Sequence, residues 1–363
     1  MTKNVLLPNK ILKPGRLLWH CYAGDCGGCG FYRIILPSLL LLNNHYKGFS
    51  FMPSYNQQFI GDLNFYKTKV FLILQRSAEK NHLEFIKQVK KSIPHLKLVY
   101  EIDDVLFPEY IPKWNKAYDY YEKRQEYTKK IIRMVDGVTV STKPLKGILS
   151  KYNKNVNVNP NHLPKFLWGE TQQPIPIKGK PRILWAGSDN HFQIKRNSIK
   201  GGDFDDTLLS FIKSTIDDYQ WVFVGGMPIE LDDVSHKIER HGWRTMLEYP
   251  SFMKTLKINV GIAPLSKHIF NDCKSNIKAK EYTNLGIPGV YSSQYPYKDL
   301  KNSCETESFM IHKIETLCND EQERQITFDH DLNVLKDELY FEENNNIIKY
   351  IDNILRLFHH QLP

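Results

Sequence analysis

FNDCKSNIKAKEYTNLGIP, residues 270–288, lies between two apolar runs, Ile258 to Leu265 (INVGIAPL) and Gly289 to Ser292. Short apolar runs without polar alternation predict strands buried on both faces, as in a parallel sheet. The segment between them is therefore expected to be the loop and helix of a strand-loop-helix-strand unit. Ser275 or Asn276 is suited to cap that helix, and Gly286 with Pro288 to end it. At about 100° per residue, Ile277, Lys278, Glu281 and Leu285 fall on one side, so a carboxylate stands in a largely apolar stripe. A buried carboxylate needs a partner. A ribose diol is one, because the carboxylate accepts from both hydroxyls, while the helix N-terminus with Lys274 or Lys278 offers positive potential to a diphosphate. An ordinary ion pair between Lys278 and Glu281, three residues apart, accounts for the same residues.

The segment resembles the nucleotide-sugar element of GT-B glycosyltransferases, in which an acidic residue near the end of this helix holds the donor ribose and the preceding loop faces the sugar. The large retaining group carries Glu, seven residues, Glu. Glu281 matches the second Glu and Cys273 stands where the first belongs, which leaves retaining or inverting chemistry open. A closer likeness is to the inverting phage DNA glucosyltransferases, through Phe270, Asn271, Asp272, Lys278 and Glu281. The resemblance implies an α/β protein of two Rossmann-like domains facing across a cleft. It implies a nucleotide-sugar donor, expected to be UDP-linked, with Asn271, Asp272, Lys274, Ser275, Lys278 and Glu281 at the donor site.

At 363 residues the chain suits two domains of ordinary size. A hydrophobic share of 41% is that of a globular protein. The longest apolar stretch, Ile34 to Leu42, is too short to span a bilayer. No charged-then-apolar leader opens the sequence, so a cytosolic protein is expected, in the host cytoplasm if a phage encodes it. A formal charge of +9 favours an anionic partner: nucleic acid, a membrane surface, or only the nucleotide donor. Cys21, Cys26 and Cys29 follow an iron-sulfur spacing, but Cys273, Cys304 and Cys318, the only candidates for a fourth ligand, lack its local context. Reduced thiols in a small-residue loop are the expectation.

Arg16 to Tyr22 reads as the first strand, followed by the loop Ala23 to Gly30 (AGDCGGCG) and an apolar helix from Phe31 to Asn43. Glycines there let the backbone approach a ligand, and the helix N-terminus favours negative charge. The run Gly30, Phe31, Tyr32, Arg33, Ile34 and Pro37 resembles the first loop of phage and bacterial GT-B enzymes. Asp25 (catalytic), Gly28 and Arg33 (acceptor or phosphate) are the candidates from it; Arg33 serves equally as a solvated first-turn residue. Val70 to Leu74 and Leu96 to Ile102 are the next strands. The second runs straight into Asp103 and Asp104, where the carboxyl end of a parallel strand places a general base. A turn acid before Pro108 is the alternative. In the phage DNA glucosyltransferases an aspartate at the matching place is the base, which points to Asp103.

Between Lys113 and Lys130 basic residues alternate with aromatics, among them Trp114 and Tyr118. On a helix these contact phosphates and stack on a flipped base, or pack against the sheet. Val135 to Ser141 and Val156 to Val158 complete an N-terminal domain, residues 1–165. Leu163 to Pro181 is proline-rich and aperiodic, so residues 166–181 are expected to be a linker. A donor-binding domain, residues 182–340, restarts with Arg182 to Ala186 and the turn Gly187-Ser188. That turn and the loop beyond it, with His191, Lys195 and Arg196, suit a diphosphate leaving group. Trp221 to Val224 is a further strand, and Arg244 to Tyr249 a short one. Residues 341–363 are expected to form a helix packing back on the first domain.

The sequence thus favours a glycosyltransferase acting on a 5-hydroxymethylated pyrimidine of phage DNA with Asp103 as base. Transfer to a cell-surface or lipid-linked glycan, and a non-catalytic DNA-binding protein on a degenerate transferase fold, are the rivals. A monomer is expected. No Asp-x-Asp motif is placed to carry a metal, so none is expected to be obligatory, and a role for Mg2+ stays open.

Overall fold

A computed structural model describes residues 19–43, 49–53, 59–192 and 201–358. The chain divides into two compact units, one of Met1–Asp103, Arg124–Asn159 and Asn345–Pro363, the other of Asp104–Lys123 and Pro160–Asn344.

The first unit holds a six-stranded parallel sheet in the order β2-β1-β3-β4-β5-β6. Its strands are β1 Trp19–Ala23, β2 Phe49–Pro53, β3 Phe71–Gln75, β4 Lys97–Ile102, β5 Gly137–Val140 and β6 Val156–Val158. All five residues of β3 (FLILQ) are buried, the pattern that a central parallel strand covered on both faces requires. The second unit repeats the plan in the order β12-β11-β10-β7-β8-β9. These strands are β7 Arg182–Gly187, β8 Gln220–Gly225, β9 Glu239–His241, β10 Val260–Ala263, β11 Gly289–Ser292 and β12 Ser303–Cys304. Trp185, Trp221, Phe223 and Ile262 share its core with Ile314 and Leu317 of the helix Glu307–Asn319.

Both sheets reverse direction of growth once. In the first, the chain goes from β1 out to β2 and returns to place β3 on the other side of β1; in the second it runs β7, β8, β9 and returns with β10 beside β7. Open parallel sheets bind ligands beyond the strand ends at such reversal points. The relevant loops therefore follow β1 and β3 in one unit, and β7 and β10 in the other.

Several local expectations change. The short strand expected at Arg244 to Tyr249 is instead Glu239–His241, an edge strand; residues 244–248 turn into the helix Tyr249–Thr255, which has Pro250 in its first turn. Charged residues suit a sheet edge, and Arg182 pins this one through two bonds to Glu239, 2.8 and 2.7 Å. The first helix begins at Gly28, earlier than Phe31, and residues Phe31–Ile35 form a π-helical segment. The proline-rich stretch contains one helical turn, Lys165–Trp168, because Trp168 is buried. The aromatic-basic stretch breaks into helices Tyr118–Glu122 and Gln125–Met134, the latter burying Thr128, Ile131 and Ile132.

Within the first unit, the helix Asn346–Leu355 closes the β6 edge: Asn157 Nδ2 donates to Asn353 O at 2.7 Å, and Asn353 Nδ2 to Val158 O at 2.9 Å. Phe358 packs on Phe71, ring centroids 5.2 Å apart, and Leu357 lies over Gly137, where a larger residue would collide with it.

Candidate functional site

In the second unit the helix Ile277–Asn284 is buried from Ala279 to Asn284, on every face and not on one stripe. Three of its polar side chains are bonded into the fold. Lys280 Nζ donates to Asn161 O at 2.7 Å, Tyr282 OH to Ile262 O at 2.9 Å, and Asn284 Nδ2 to Tyr340 OH at 2.6 Å. Gly261 has no side chain to obstruct the Tyr282 ring, so the helix seats directly on β10. Asn276 is the N-cap residue, yet its side chain makes no capping bond, correcting the expectation of a side-chain cap.

Lys278 reaches from this helix to the end of β7, donating to Ala186 O with its ammonium 5.1 Å from the Trp185 ring centre. Gly187 makes room for it: a Cβ there would stand 3.2 Å from Nζ. Burial lowers the Lys278 pKa to about 8; Glu281 opposes the shift and Lys274 adds to it. Glu281 is buried, and Tyr249 OH donates to its Oε2 at 3.4 Å. Ser188 Oγ accepts from Asn190 N at 3.4 Å, shaping the turn after β7. Gly226 N bonds Gly187 O at 2.8 Å, and Gly225, at φ +93°, abuts the same carbonyl, so a side chain there would be both strained and in collision. The exposed indole of Trp243 lies beside Gly225.

The other donor candidates are partly taken up by the fold. Asn271 is buried and donates to Asp203 Oδ1 at 2.7 Å; Asp272 Oδ1 accepts from Tyr295 N at 3.1 Å. Ser275 Oγ accepts from Asn161 Nδ2 at 3.0 Å, and the Lys274 ammonium stands 5.0 Å from the Phe270 ring centre. Lys195 and Arg196 lie outside the described residues. Trp114 rests on the backbone of Gly201, and Tyr118 OH donates to Glu122 Oε1 at 3.2 Å. Both belong, with Asp104, to the segment grouped with the second unit.

In the first unit, the loops after β1, β3 and β4 bring Asp25, Arg76 and Asp103 together. Arg76 places Nε 3.6 Å from Asp103 Oδ1 and Nη1 3.7 Å from Asp25 Oδ2. Arg76 holds φ +51°, an unusual conformation for a residue with a side chain and one that concentrates at functional sites. Asp25 Oδ1 accepts from Gly27 N at 2.8 Å and Gly30 N at 3.0 Å, closing the glycine loop on itself. Gln75 ties that loop to β3, accepting from Gly24 N at 2.8 Å and donating to Cys29 O at 3.0 Å. Asp103 is 8% exposed, its Oδ1 is buried without a hydrogen bond, and its backbone carbonyl accepts from Ser141 Oγ at 2.8 Å.

Arg33 is buried, with Nε 2.6 Å from Glu101 Oε1 and Nη1 donating to Asn159 O. Burial pushes the Glu101 pKa up to about 7, opposed by the Arg33 charge. This pair ties the helical segment after the glycine loop to β4 and to the chain just beyond β6. Glu101→Ala would leave a buried guanidinium without its carboxylate, at a cost of about 3–5 kcal/mol. A large fall in melting temperature is the expected result, and an unchanged melt would show the pair to be dispensable. Gly28 meets no other atom within 4 Å of a Cβ position. Cys21 is buried, its thiol pushed up to about 12 by burial, whereas Cys26 is exposed. Among the described residues the three loop cysteines do not converge on one ion position; Cys29 instead lies within 4.8 Å of Asp103.

Sequence reasoning passed over Arg76, Tyr249, Asp203 and Trp243. Arg76 directly follows a clear strand, which was the available signal. The others become visible only through strand order.

No protein-family profile matches the chain, and no curated protein does. Solved structures do. The catalytic domain of starch synthase IV from Arabidopsis thaliana, bound to ADP and acarbose, is similar at TM-score 0.59 and 8% identity, over 94% of this chain and 99% of that one. TarM from S. aureus, in complex with UDP among other ligands, gives 0.53 and 12%, over 82% of this chain and 58% of TarM, so the chain spans little more than half of that protein. The Thermobaculum terrenum O-GlcNAc transferase gives 0.52 and 10%, over 95% and 68%. At these identities the likeness establishes the architecture: two parallel α/β units of the GT-B kind.

Proposed function

We propose that the protein is a nucleotide-sugar-dependent glycosyltransferase whose second unit holds the donor and whose first presents the acceptor. The observation that carries this reading is the grouping at the β7/β10 reversal, where Lys278 meets the Gly187 turn and the Glu281 carboxylate pairs with Tyr249. Glu281 is suited to accept from a ribose diol, and Lys278 with the helix N–H groups to neutralise charge on a departing diphosphate. In the reaction the acceptor oxygen bonds to the anomeric carbon, its proton passes to Asp103, and the bond from that carbon to the diphosphate breaks. The diphosphate leaves with the electron pair. The neighbours bound to UDP and ADP agree with a nucleotide-linked donor.

For the acceptor we propose the hydroxyl of a 5-hydroxymethylated pyrimidine in DNA, and UDP as the donor nucleotide. The formal charge of +9 supports a polyanionic partner, as does the likeness of Phe270, Asn271, Asp272, Lys278 and Glu281 to the phage enzymes. Transfer to a glycan is the second reading, favoured by TarM, which was solved with alpha-GlcNAc-glycerol. The test is incubation with UDP-sugars and either hydroxymethylated DNA or a glycan acceptor, followed by mass spectrometry of both. A sugar mass on the nucleoside supports the DNA reading, and one on the glycan alone replaces it. No donor consumption with either overturns the transferase assignment.

Donor affinity should also depend on pH. Lys278 carries its charge below about 8, so diphosphate binding is strongest below that pH and weakens as the ammonium deprotonates above it. Calorimetry with UDP from about pH 7 to pH 9.5 should record the fall, and Lys278→Arg should flatten it.

A further inference from the structure

We propose that His191, held in place by Asp203, is the group that receives a hydroxyl of the transferred sugar. This rests on the donor assignment of the second unit and extends it to a residue outside the ribose and diphosphate contacts.

Asp203 joins the two loops that flank the β7/β10 reversal. Its Oδ2 lies 2.7 Å from His191 Nδ1, in the turn after β7. Its Oδ1 accepts from Ser266 N at 2.8 Å, Ser266 Oγ at 2.9 Å and Asn271 Nδ2 at 2.7 Å, all beyond the end of β10. Burial by itself would raise the carboxyl pKa, but the bond to His191, the charge of Lys274 and the Ser266 N–H together hold it below the usual carboxylate range, so the group is ionised. An ionised acceptor fixes the imidazole tautomer: Nδ1 carries the hydrogen and Nε2 the lone pair. The ring is further aligned by an edge-on contact with Trp185, centroids 5.6 Å apart.

Burial, and then the charges of Lys274 and Lys278, depress the His191 pKa to about 4, so the ring is neutral near pH 7. A neutral Nε2 repels no cation but cannot donate to a phosphate oxygen. It accepts, and the acceptor-seeking groups of a nucleotide-sugar other than the ribose and base are the sugar hydroxyls. The side chain is 13% exposed, and Nε2 has no partner among the described residues.

The test compares UDP with UDP-glucose, UDP-galactose and UDP-arabinose by calorimetry, on the wild-type protein, His191→Phe and His191→Gln. His191→Phe keeps an aromatic ring against Trp185; His191→Gln restores an acceptor. The expected result is that His191→Phe binds UDP as the wild type does but binds the best UDP-sugar about 5- to 10-fold more weakly. His191→Gln should recover part of that loss, and a deoxy analogue lacking the contacted hydroxyl should bind wild type and His191→Phe alike. Equal weakening of UDP and UDP-sugar, or no weakening of either, overturns the proposal, and a melting curve separates the first outcome from misfolding. A wild-type protein that binds neither UDP nor any UDP-sugar removes the donor assignment itself, an outcome distinct from failure of the His191 role.

Discussion

Asp103→Asn should lower the rate of sugar transfer by about 10²–10⁴-fold while leaving donor affinity unchanged, the range that loss of a general base commonly produces. The substitution keeps the size of the side chain, so the Ser141 bond to the Asp103 carbonyl and the packing of β4 persist. What disappears is the carboxylate oxygen that now stands buried, without a hydrogen bond, 3.6 Å from Arg76 Nε. The Arg76 guanidinium, placed between Asp103 and Asp25, orients that side chain toward the loops after β1 and β3. Initial rates under saturating donor, with calorimetry on the same preparation, check both halves of the expectation. Full activity in the variant would move the base to Asp104 or Asp25.

Glu281→Ala should weaken nucleotide binding by about 10²-fold, because two hydrogen bonds from ribose hydroxyls to its carboxyl oxygens are worth about 3 kcal/mol together. Tyr249→Phe should produce a smaller loss, since it removes only the hydroxyl that orients Oε2 at 3.4 Å. The helix itself should survive, because Lys280, Tyr282 and Asn284 anchor it independently of Glu281. Calorimetry with UDP and a melting curve measure the two effects separately. Unchanged affinity would take Glu281 out of the nucleotide site.

Much of the secondary structure was legible in the sequence because parallel strands buried on both faces are short uninterrupted apolar runs. VFLIL, LKLVYEI, RILWA and WVFV each became a strand within a residue or two of the expected ends. The edge strand Glu239–His241 was not, since a strand covered on one side only has no such run, and its charged residues read as loop. Glu281 and Asp103 could be singled out because each stands next to a recognisable element. The His191 to Asp203 pairing could not, because its members gain meaning only when β10 returns to lie beside β7, an arrangement set by tertiary packing. Arg33 illustrates the opposite limit. A basic residue after a glycine loop suggests a ligand contact, but its partner Glu101 is hidden inside β4, where alternation gives no warning of a buried charge.

The order in which the first unit receives its parts sets a schedule for its assembly. Residues 346–358 close the β6 edge and cover Phe71 and Gly137, yet a ribosome emits them only after every residue of the second unit. A nascent chain therefore carries an unfinished N-terminal sheet edge until almost the whole of both units has been made, so the part synthesised first is among the last to be finished.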